Sequence, residues 1–479
     1  MTDSRTLDGL IIGGGISGLS VAHWLGLGDH PGTWQLWEGQ DHLGGTLRTE
    51  RAEGYSVDWG PNGFLDREPL TLQLVDEIGL RDQLEPANEK AEDRFIYKKG
   101  KLHPVPFSPP AILTTGLLSP MEKLRIFREP FVRARKDDAD ESVYDFAARR
   151  IGRGAAETFV DPMVSGVFGG VAKELSLPAC FPIMREMELQ YGSLVRAMIA
   201  KMREKKKRDR ESGVARKSGS PAGPGGRLTS FAGGLDVVIS RLGERHRAIV
   251  QLNRTVQSIM RTESGWIVTD GRGQSVNTRQ LIVTCPTFAA ACMFKEFDSD
   301  LSSALASIPY APIVVVATGH RRADVVHSLD GFGFLVPRNQ GLRILGSIWT
   351  SSIFADRAPA GHVQFRTMLG GAGDAAALQL TDDQLWETIR RDLDPLLGLN
   401  ADPVFRRIYR WERGIPQYTL GHRERRARIE NLASRHPGLH FVSNAFYGVS
   451  LNECVKLAKT VADEVVQEQA RHLRASPAN

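Results

Sequence analysis

Cysteine is scarce in this chain, and long apolar runs are missing. The 479 residues contain four cysteines, without a CxxC spacing, at Cys180, Cys285, Cys292 and Cys454. This pattern excludes a disulfide scaffold and favours a reducing compartment, so we expect a cytoplasmic protein. No run of about 18 apolar residues occurs, so no membrane-spanning helix is predicted. The first residues also lack the basic and apolar regions of a signal peptide.

Charge is nearly balanced over the chain, apart from one segment. The formal net charge is +5, and residues 201–217 alone hold nine Lys and Arg against three acids. The composition SGSPAGPGG follows this run, which predicts a mobile basic loop over residues 201–226. Because no aromatic residues interleave with the charges, we do not expect nucleic-acid binding. No metal-ligand cluster and no Ser–His–Asp or HExxH arrangement is evident, so no metal is predicted.

The chain opens with a strand, a glycine-rich turn and a helix. An apolar run at residues 10–12 precedes Gly13-x-Gly15-x-x-Gly18, and a second strand candidate at residues 34–37 ends at Glu38. In this order, Gly13 permits a tight turn, Gly15 lets the backbone approach a pyrophosphate, and Gly18 lets helix and strand pack closely. Glu38 fits the acceptor for ribose hydroxyls. The glycine pattern alone is weak, but with the strand and the acid it predicts a dinucleotide site.

A second glycine pair follows soon afterwards. Gly44-Gly45-Thr46 comes after Glu38 with five residues between them, and Gly60-Pro61-Asn62 follows. More glycine backbone at this position would suit an extended dinucleotide, although the same residues are also typical of a surface turn.

The C-terminal region repeats the order strand, turn, helix. Residues 440–443 form a strand candidate, and a helix is predicted from about Leu451. Its apolar residues recur at helical spacing, namely Leu451, Val455, Ala458, Ala462 and Val465. Such a helix either points its N-terminus at a ligand or simply closes the domain, and the pattern does not decide between these.

These motifs together resemble the FAD-binding fold of amine oxidases, phytoene desaturases and protoporphyrinogen oxidases. Over nearly the whole chain, the closer similarity is to the oxygen-dependent protoporphyrinogen oxidase family. The stretches that carry the resemblance keep a common order along the chain: residues 60–65, 94–102, 164–170, 230–235, 331–337, 414–422 and 447–454. The resemblance implies FAD-dependent oxidation of protoporphyrinogen IX to protoporphyrin IX, with oxygen as the final oxidant.

The resemblance also implies a fold and a division into domains. We expect an α/β protein with a doubly wound, Rossmann-like FAD-binding domain, an α+β substrate domain and a helical insertion. The FAD-binding domain is predicted to comprise residues 1–86, 226–295 and 408–479. Residues 87–104 and 296–407 would form the substrate-binding domain, and residues 105–225 the helical insertion.

Site residues follow from the resemblance, position by position. Arg94 matches an arginine that pairs with a substrate propionate, Leu335 and Met368 match apolar residues around a pyrrole ring, and Gly166, Gly169 and Gly170 match a glycine-lined wall. Leu335 and Met368 are equally interpretable as sheet core. The residues implied for FAD are Gly13, Gly15, Ile16, Ser17, Gly18, Glu38, Gly44, Gly45, Thr46, Gly60, Pro61, Asn62, Val256, Trp411, Asn444, Val449 and Leu451. The chemistry needs a flavin and positioning rather than a catalytic acid or base.

The chain departs from the family pattern at the cofactor. Ser443 stands where the family usually has glycine, and its side chain could crowd FAD. Thr46 replaces an arginine often found after the glycine pair, and Glu453 replaces an aspartate. These departures put FAD affinity in question, not the fold.

Several alternatives stay open. A coproporphyrinogen III oxidase would differ by preferring a substrate with four propionates, and a non-catalytic porphyrin carrier would lack bound flavin. An amine oxidase is disfavoured because no Ser-Gly-Gly-Cys motif occurs. The helical insertion either packs as ordinary core or attaches peripherally to the inner face of the cell membrane through Phe107, Ile112, Leu113, Leu117 and Leu118. A homodimer is compatible with the sequence.

Overall fold

A mostly parallel sheet forms around the first strand of the chain. The computed structural model describes residues 6–30, 32–212 and 226–475. Within them, seven strands make this sheet: β1 (Leu7–Ile12), β2 (Trp34–Trp37), β10 (Val250–Gln251), β11 (Val256–Thr262), β12 (Gly265–Asp270), β13 (Ser275–Val283) and β19 (Leu439–Phe441). The order is β10-β2-β1-β13-β12-β11, with β19 beside β13. The strands β10, β2, β1, β13 and β19 are parallel, and β11 to β13 form an antiparallel extension.

Apolar residues on both faces of this sheet explain its helix layers. Ile11 and Ile282 face one core, while Leu10 and Val283 face the other, because successive residues of a strand point to opposite faces. The first layer contains α1 (Ile16–Trp24), α2 (Pro69–Glu77), α11 (Val237–Arg245) and α17 (Leu451–Ala475), and the second contains α12 (Thr287–Phe294), α13 (Ser299–Ala306) and α16 (His422–Ala433). The predicted apolar residues of α17, from Leu451 to Val465, are all buried. The predicted α/β fold is therefore confirmed.

A second, mixed sheet carries residues from the middle of the chain. Its order is β18-β14-β17-β16-β15-β7-β8. The strands are β7 (Arg94–Lys98), β8 (Lys101–Pro104), β14 (Tyr310–Arg321), β15 (Gly333–Leu335), β16 (Gly346–Ile348), β17 (His362–Gly370) and β18 (Phe405–Pro416). Because β18 lies wholly in the second sheet, the predicted domain boundary at residue 408 falls inside a strand.

The two faces of the second sheet have different coverings. On one face, Val314, Val316 and Phe365 pack against the helix α15 (Asp382–Leu397), and α14 (Thr350–Ile353) lies before β17. On the other face, the hairpin of β3 (Thr49–Ala52) and β4 (Tyr55–Asp58) packs against Val315 and Ala317. The remaining short strands, β5 (Phe64–Leu65), β6 (Leu84–Pro86) and β9 (Leu228–Phe231), form a small separate sheet.

In its described part, the insertion after β8 consists of helices and their connecting loops. They are α3 (Pro109–Thr114), α4 (Pro120–Phe127), α5 (Val143–Ile151), α6 (Arg153–Ala155), α7 (Asp161–Phe168), α8 (Leu177–Cys180), α9 (Pro182–Tyr191) and α10 (Leu194–Ser212), with a π-helical turn at Ala156–Val160. Its interior contains buried ion pairs, of which Arg150 with Glu129 has both side chains almost fully buried. Removing one partner of such a pair leaves the other charge buried and uncompensated, which strongly destabilises the folded protein.

Two expectations for the insertion are wrong. Residues 201–212 belong to α10 rather than to a loop, because Lys, Arg and Glu are good helix formers; residues 213–225 lie outside the described part. Leu117 and Leu118 are buried in the protein, since the turn before α4 points them inward, and they cannot contact a membrane. Across the described ranges, no helix is both long enough and apolar enough to cross a bilayer.

Candidate functional site

The first glycine turn is built so that its middle glycine faces open space. Gly13 adopts φ +111°, and its N–H donates to the Trp37 carbonyl oxygen at 2.8 Å. A Cβ at Gly18 would lie 2.0 Å from the Gly13 carbonyl oxygen, so this position requires glycine. A Cβ at Gly15, in contrast, would have the Gly44 carbonyl oxygen at 3.9 Å as its nearest neighbour. The space before α1 is therefore left free by the protein.

The N-terminus of α1 lies beside that space. No side chain caps the helix, and its first turn has no acidic residue. The first N–H groups of an α-helix have no partner inside the helix, and the helix dipole favours an anion at this end. Ile16 and Ser17 begin the helix, so their N–H groups suit the phosphates of a dinucleotide.

Glu38 lies at the end of β2, next to the turn. Its carboxylate accepts hydrogen bonds from the N–H groups of Gly14 at 2.7 Å and Gln40 at 2.9 Å. Val256, at the start of β11, lies close by because the Arg254 N–H donates to the Glu38 carbonyl oxygen at 2.8 Å. The segment that leads into β11, two residues before Val256, thus contacts Glu38 although the two are distant in sequence.

The second glycine pair contacts the first turn directly. The Gly44 N–H donates to the Gly14 carbonyl oxygen at 2.9 Å. Gly44 and Gly45 have φ values of +115° and +58°, where glycine is favoured. A Cβ at Gly60 would lie 2.3 Å from the Thr46 carbonyl oxygen. Residues 13–18, 44–46 and 60–62 therefore form one continuous surface, as expected for an extended cofactor.

The C-terminal turn completes this surface. Helix α17 packs along α1, and the Cys454 thiol is hydrogen-bonded to Ser17, while burial raises the pKa of Cys454 to about 11. The Ser443 hydroxyl accepts a hydrogen bond from the Ala445 N–H at 3.2 Å. Its oxygen is thus engaged by the loop itself. Asn444, Val449 and Leu451 lie on the same turn and helix start.

Buried polar atoms without partners lie next to this surface. Among the described residues, Trp59 Nε1, Asn62 Nδ2 and Asn452 Oδ1 have no hydrogen-bond partner in the protein. Leaving such groups unsatisfied costs about 1–3 kcal/mol each. Together with the open space at Gly15, these atoms fit a large polar ligand such as FAD.

The predicted substrate residues share one face of the second sheet. Leu335 and Met368 both pair in register with Gly346, from β15 and β17 respectively. Arg94 pairs with Gly333, two residues before Leu335. Because register partners and residues two apart point to the same side, Arg94, Leu335 and Met368 lie on one face.

Trp411 joins that face from the far edge of the sheet. Trp411 pairs in register with Ile313 of β14. Val315, two residues further along β14, pairs with Met368. The indole Nε1 of Trp411 donates to the Trp59 carbonyl oxygen at 3.2 Å, immediately before Gly60. Trp411 therefore connects the face that carries the predicted substrate residues to the cofactor surface.

The predicted glycine wall lies over the same face. A Cβ at Gly166 would be 2.6 Å from Leu335 Cδ2. Gly169 ends α7 in a left-handed conformation, and its carbonyl oxygen accepts a hydrogen bond from the Ala372 N–H at 2.7 Å. The Gly170 carbonyl oxygen accepts one from Arg338 Nη2 at 2.5 Å. The C-terminal end of α7 thus lies directly against the ends of the sheet strands.

Arg94 is accessible and has no acidic partner. Its side chain is exposed, its guanidinium lies 5.2 Å from the centre of the Phe332 ring, and no carboxylate of the described residues forms an ion pair with it. Partial desolvation lowers the pKa of Arg94, and the charge of Glu92 opposes this. An arginine in this setting can bind a carboxylate of a ligand.

Two arginines near the site were missed from the sequence. Arg48 lies 3.8 Å from the centre of the Trp59 ring, and Arg366 donates from Nη2 to the Gly60 carbonyl oxygen at 2.6 Å. The alternation Arg366-x-Met368 could have indicated that Arg366 shares a face with Met368. Nothing in the sequence indicates that it reaches Gly60.

The fold and this surface define a dinucleotide-binding protein with a second, mixed sheet beside the cofactor surface. The family described as flavin containing amine oxidoreductase matches residues 16–466, and the chain belongs to this family. It is an FAD-dependent enzyme.

The chain is similar to proteins that bear two different enzyme names. The chain is 32% identical to the chloroplastic protoporphyrinogen oxidase of Oryza sativa subsp. japonica, over 96% of this chain and 88% of that protein. It is 28% identical to the coproporphyrinogen III oxidase of Bacillus subtilis (strain 168), over 95% and 97% of the two chains.

Solved structures have the same fold. One, of reduced UDP-galactopyranose mutase, matches with a TM-score of 0.71 at 16% identity, over 97% of this chain and 94% of that one. Another, from Exiguobacterium sp. 255-15, carries a provisional assignment as a protoporphyrinogen oxidase. It matches with a TM-score of 0.81 at 24% identity, over 98% and 100% of the two chains.

Proposed function

We propose that this protein oxidises protoporphyrinogen IX to protoporphyrin IX, with FAD as the electron acceptor and oxygen as the final oxidant. The observation that carries the proposal is the shared face of Arg94, Leu335 and Met368, in which two apolar side chains stand near an accessible cation without an acidic partner among the described residues. A flat, apolar macrocycle with a carboxylate at its edge complements such a face.

The residues of the site would act by positioning. Arg94 would hold a propionate, and Leu335 and Met368 would contact a pyrrole ring across the gap left by Gly346. FAD would be held by residues 13–18, 44–46 and 60–62 and would supply two-electron oxidation. The substrate loses six hydrogens in three two-electron steps, and three molecules of oxygen become three of hydrogen peroxide. No side chain needs to act as an acid or base catalyst in this scheme.

The second candidate is oxidation of coproporphyrinogen III to coproporphyrin III. Similarity to coproporphyrinogen III oxidases over nearly their whole length supports it. The presence of one accessible, unpaired guanidinium on the apolar face favours a substrate with fewer carboxylates.

A direct assay tests both candidates. The purified protein, with its flavin content measured from the visible spectrum, is offered protoporphyrinogen IX and coproporphyrinogen III separately in air. We expect faster appearance of protoporphyrin fluorescence, with one hydrogen peroxide for each oxygen consumed. A preference for coproporphyrinogen III would replace the first candidate by the second. Inactivity on both, with flavin bound, would overturn the proposed function.

We further propose that the helical insertion contacts a membrane surface peripherally. Of the predicted apolar contacts, Phe107 and Leu113 are exposed. The insertion also exposes other large apolar side chains, namely Met121, Leu124, Phe127, Phe131, Ile183 and Leu189. Exposed apolar residues concentrated in this way are a feature of interaction surfaces.

Binding to vesicles tests this contact. The double variant M121S/F131S should bind anionic phosphatidylglycerol vesicles more weakly than the unmodified protein. The control is V326S, which changes an equally exposed apolar residue in the second sheet domain (Val326 is 73% exposed). Equal vesicle binding by all three proteins would contradict the contact.

A further inference from the structure

Arg366 is buried between the substrate sheet and the cofactor surface. It lies on β17 two residues before Met368, and its register partner Ala317 packs against the hairpin of β3 and β4. Only 3% of the residue is accessible. Its one side-chain hydrogen bond within the described residues is from Nη2 to the Gly60 carbonyl oxygen.

This guanidinium has no carboxylate counter-charge at ion-pair distance among the described residues. Arg366 Nε has no acceptor. Asp58 is close enough to raise the pKa of Arg366 against the larger lowering by burial. However, Asp58 Oδ1 accepts from the Thr49 hydroxyl at 2.6 Å and from the Leu235 N–H at 2.9 Å. Asp58 Oδ2 lies 3.8 Å from Arg357 Nε.

A buried charge of this kind needs an explanation. Burial of an unpaired ion is costly, yet arginine does not lose its proton in proteins. Arg366 is therefore a positive charge that the surrounding protein solvates incompletely. An anion close to it would gain more from the interaction than in water.

The contact made by Arg366 lies at the cofactor surface. Gly60 stands between the Thr46 carbonyl oxygen on one side and the Arg366 guanidinium on the other. The adjacent Trp59 carbonyl oxygen accepts the hydrogen bond from Trp411. Arg366 is thus hydrogen-bonded to the segment of residues 60–62, which is predicted to face FAD.

We propose that Arg366 is a positioning residue that raises the reduction potential of bound FAD. The inference rests on the proposed placement of FAD along residues 13–18, 44–46 and 60–62. Two-electron reduction adds negative charge to the isoalloxazine ring, and a fixed positive charge nearby favours the reduced state over the neutral oxidised state. Protein charges near the flavin ring are a recognised way of tuning its electronics.

Two substitutions separate the charge of Arg366 from its hydrogen bond. Arg366→Gln keeps an N–H donor near Gly60 but removes the charge, whereas Arg366→Lys keeps the charge. The control, Arg410→Gln, removes a charge from the opposite face of the same sheet, where Arg410 pairs with Asp382. The potential of each flavoprotein is measured by equilibration with a reference dye, without any porphyrinogen.

We expect Arg366→Gln to reduce the ratio of reduced to oxidised flavin at least tenfold at a fixed dye potential, which corresponds to about 30 mV. Arg366→Lys should stay within about threefold of the unmodified protein, and Arg410→Gln should not change it. An unchanged potential in Arg366→Gln, or an equal fall in Arg366→Lys, would overturn the proposal.

A second variant, in which the potential should change in the opposite direction, is used if Arg366→Gln does not fold or does not hold flavin. Asp58→Asn keeps an oxygen for Thr49 and Leu235 but removes the nearest negative charge. It should raise the potential, and an unchanged or lower value would contradict the inference. Since no porphyrinogen is used, failure here is distinguishable from failure of the proposed function, which the substrate assay decides.

Discussion

Leu335 and Met368 pair with the same residue, Gly346, from the two strands that flank it. Their Cα atoms are therefore about 10 Å apart, two strand spacings, with no side chain between them. The missing side chain at Gly346 leaves a space between these two apolar residues, which we call the groove, and Leu335 Cδ2 leans over it, 3.2 Å from where a Cβ of Gly346 would stand. We propose that a flat ring binds against the groove. Gly166 of the insertion lies against the same Leu335 side chain.

Adding a methyl group at Gly166 should narrow the groove. Its Cβ would lie 2.6 Å from Leu335 Cδ2, so Gly166→Ala should push the Leu335 side chain towards Met368. We expect the apparent KM for protoporphyrinogen IX to rise about tenfold. The melting temperature should not fall, because alanine favours the helix over glycine. Gly271→Ala, where the nearest atom is 3.9 Å from the new Cβ, should leave KM unchanged; an equal rise would contradict the groove.

Two glycines of the first turn should respond differently to alanine. Gly18→Ala would place a Cβ 2.0 Å from the Gly13 carbonyl oxygen, and this overpacking should cost about 1–3 kcal/mol of unfolding free energy even without FAD. Gly15→Ala meets no protein atom closer than 3.9 Å. The Gly15 variant should therefore keep the stability of the FAD-free protein but bind FAD at least tenfold more weakly. Thermal unfolding and flavin titration of both variants check this, and normal FAD affinity in Gly15→Ala would exclude Gly15 from the cofactor site.

Removing the Arg94 guanidinium should weaken substrate binding specifically. A hydrogen bond to a charged group contributes about 1.5–3 kcal/mol, so Arg94→Ala should raise the apparent KM for protoporphyrinogen IX roughly 10- to 100-fold. Flavin reduction by an artificial donor should be unaffected. With the methyl ester of the substrate, which has no carboxylate, the variant and the unmodified protein should behave alike. A similar loss with the ester would show that Arg94 does not bind the propionate.

Glu85 should make stability depend on pH. Burial, and next a hydrogen bond with Asp356, raise the pKa of Glu85 from 4.5 to about 7. The folded protein then retains a proton that the unfolded chain has released. The stabilisation is full below pH 4.5 and is lost as the pH rises through about 7. Glu85→Gln should not show this loss. The free energy of unfolding of the variant minus that of the unmodified protein should therefore be about 2 kcal/mol larger at pH 8 than at pH 5.

Unfolding by urea at the two pH values measures the effect of Glu85. The matched control is Glu89→Gln, which changes a glutamate four residues away whose side chain is 66% exposed. Parallel pH profiles of Glu85→Gln and the unmodified protein would contradict the raised pKa.

Local patterns predicted much of the cofactor domain. The order strand, glycine turn, helix, strand and acid specifies residues 7–38, because each step has a backbone requirement that only a few residue types meet. The apolar spacing of α17 predicted its buried side correctly. The basic run at residues 201–212 was wrongly predicted as a loop, since charge by itself does not oppose a helix of Lys, Arg and Glu.

Contacts between distant segments were not predictable in the same way. The sequence of β17 gives no indication that Arg366 reaches Gly60, since this contact depends on how the β3–β4 hairpin packs on the second sheet. The burial of Leu117 and Leu118 was not predictable either, because an apolar residue in a turn can face either the core or the surface.

The sequence by itself determined that the cofactor is a dinucleotide, that the first domain is α/β and which side of α17 is buried, because these follow from glycine positions and short-range periodicity. Tertiary structure alone decided which residues of the second sheet share a face, which glycines face open space, and that a buried arginine stands behind Gly60. Strand register and packing between sheets bring together residues hundreds of positions apart, and local sequence does not encode such pairings separately from the whole fold.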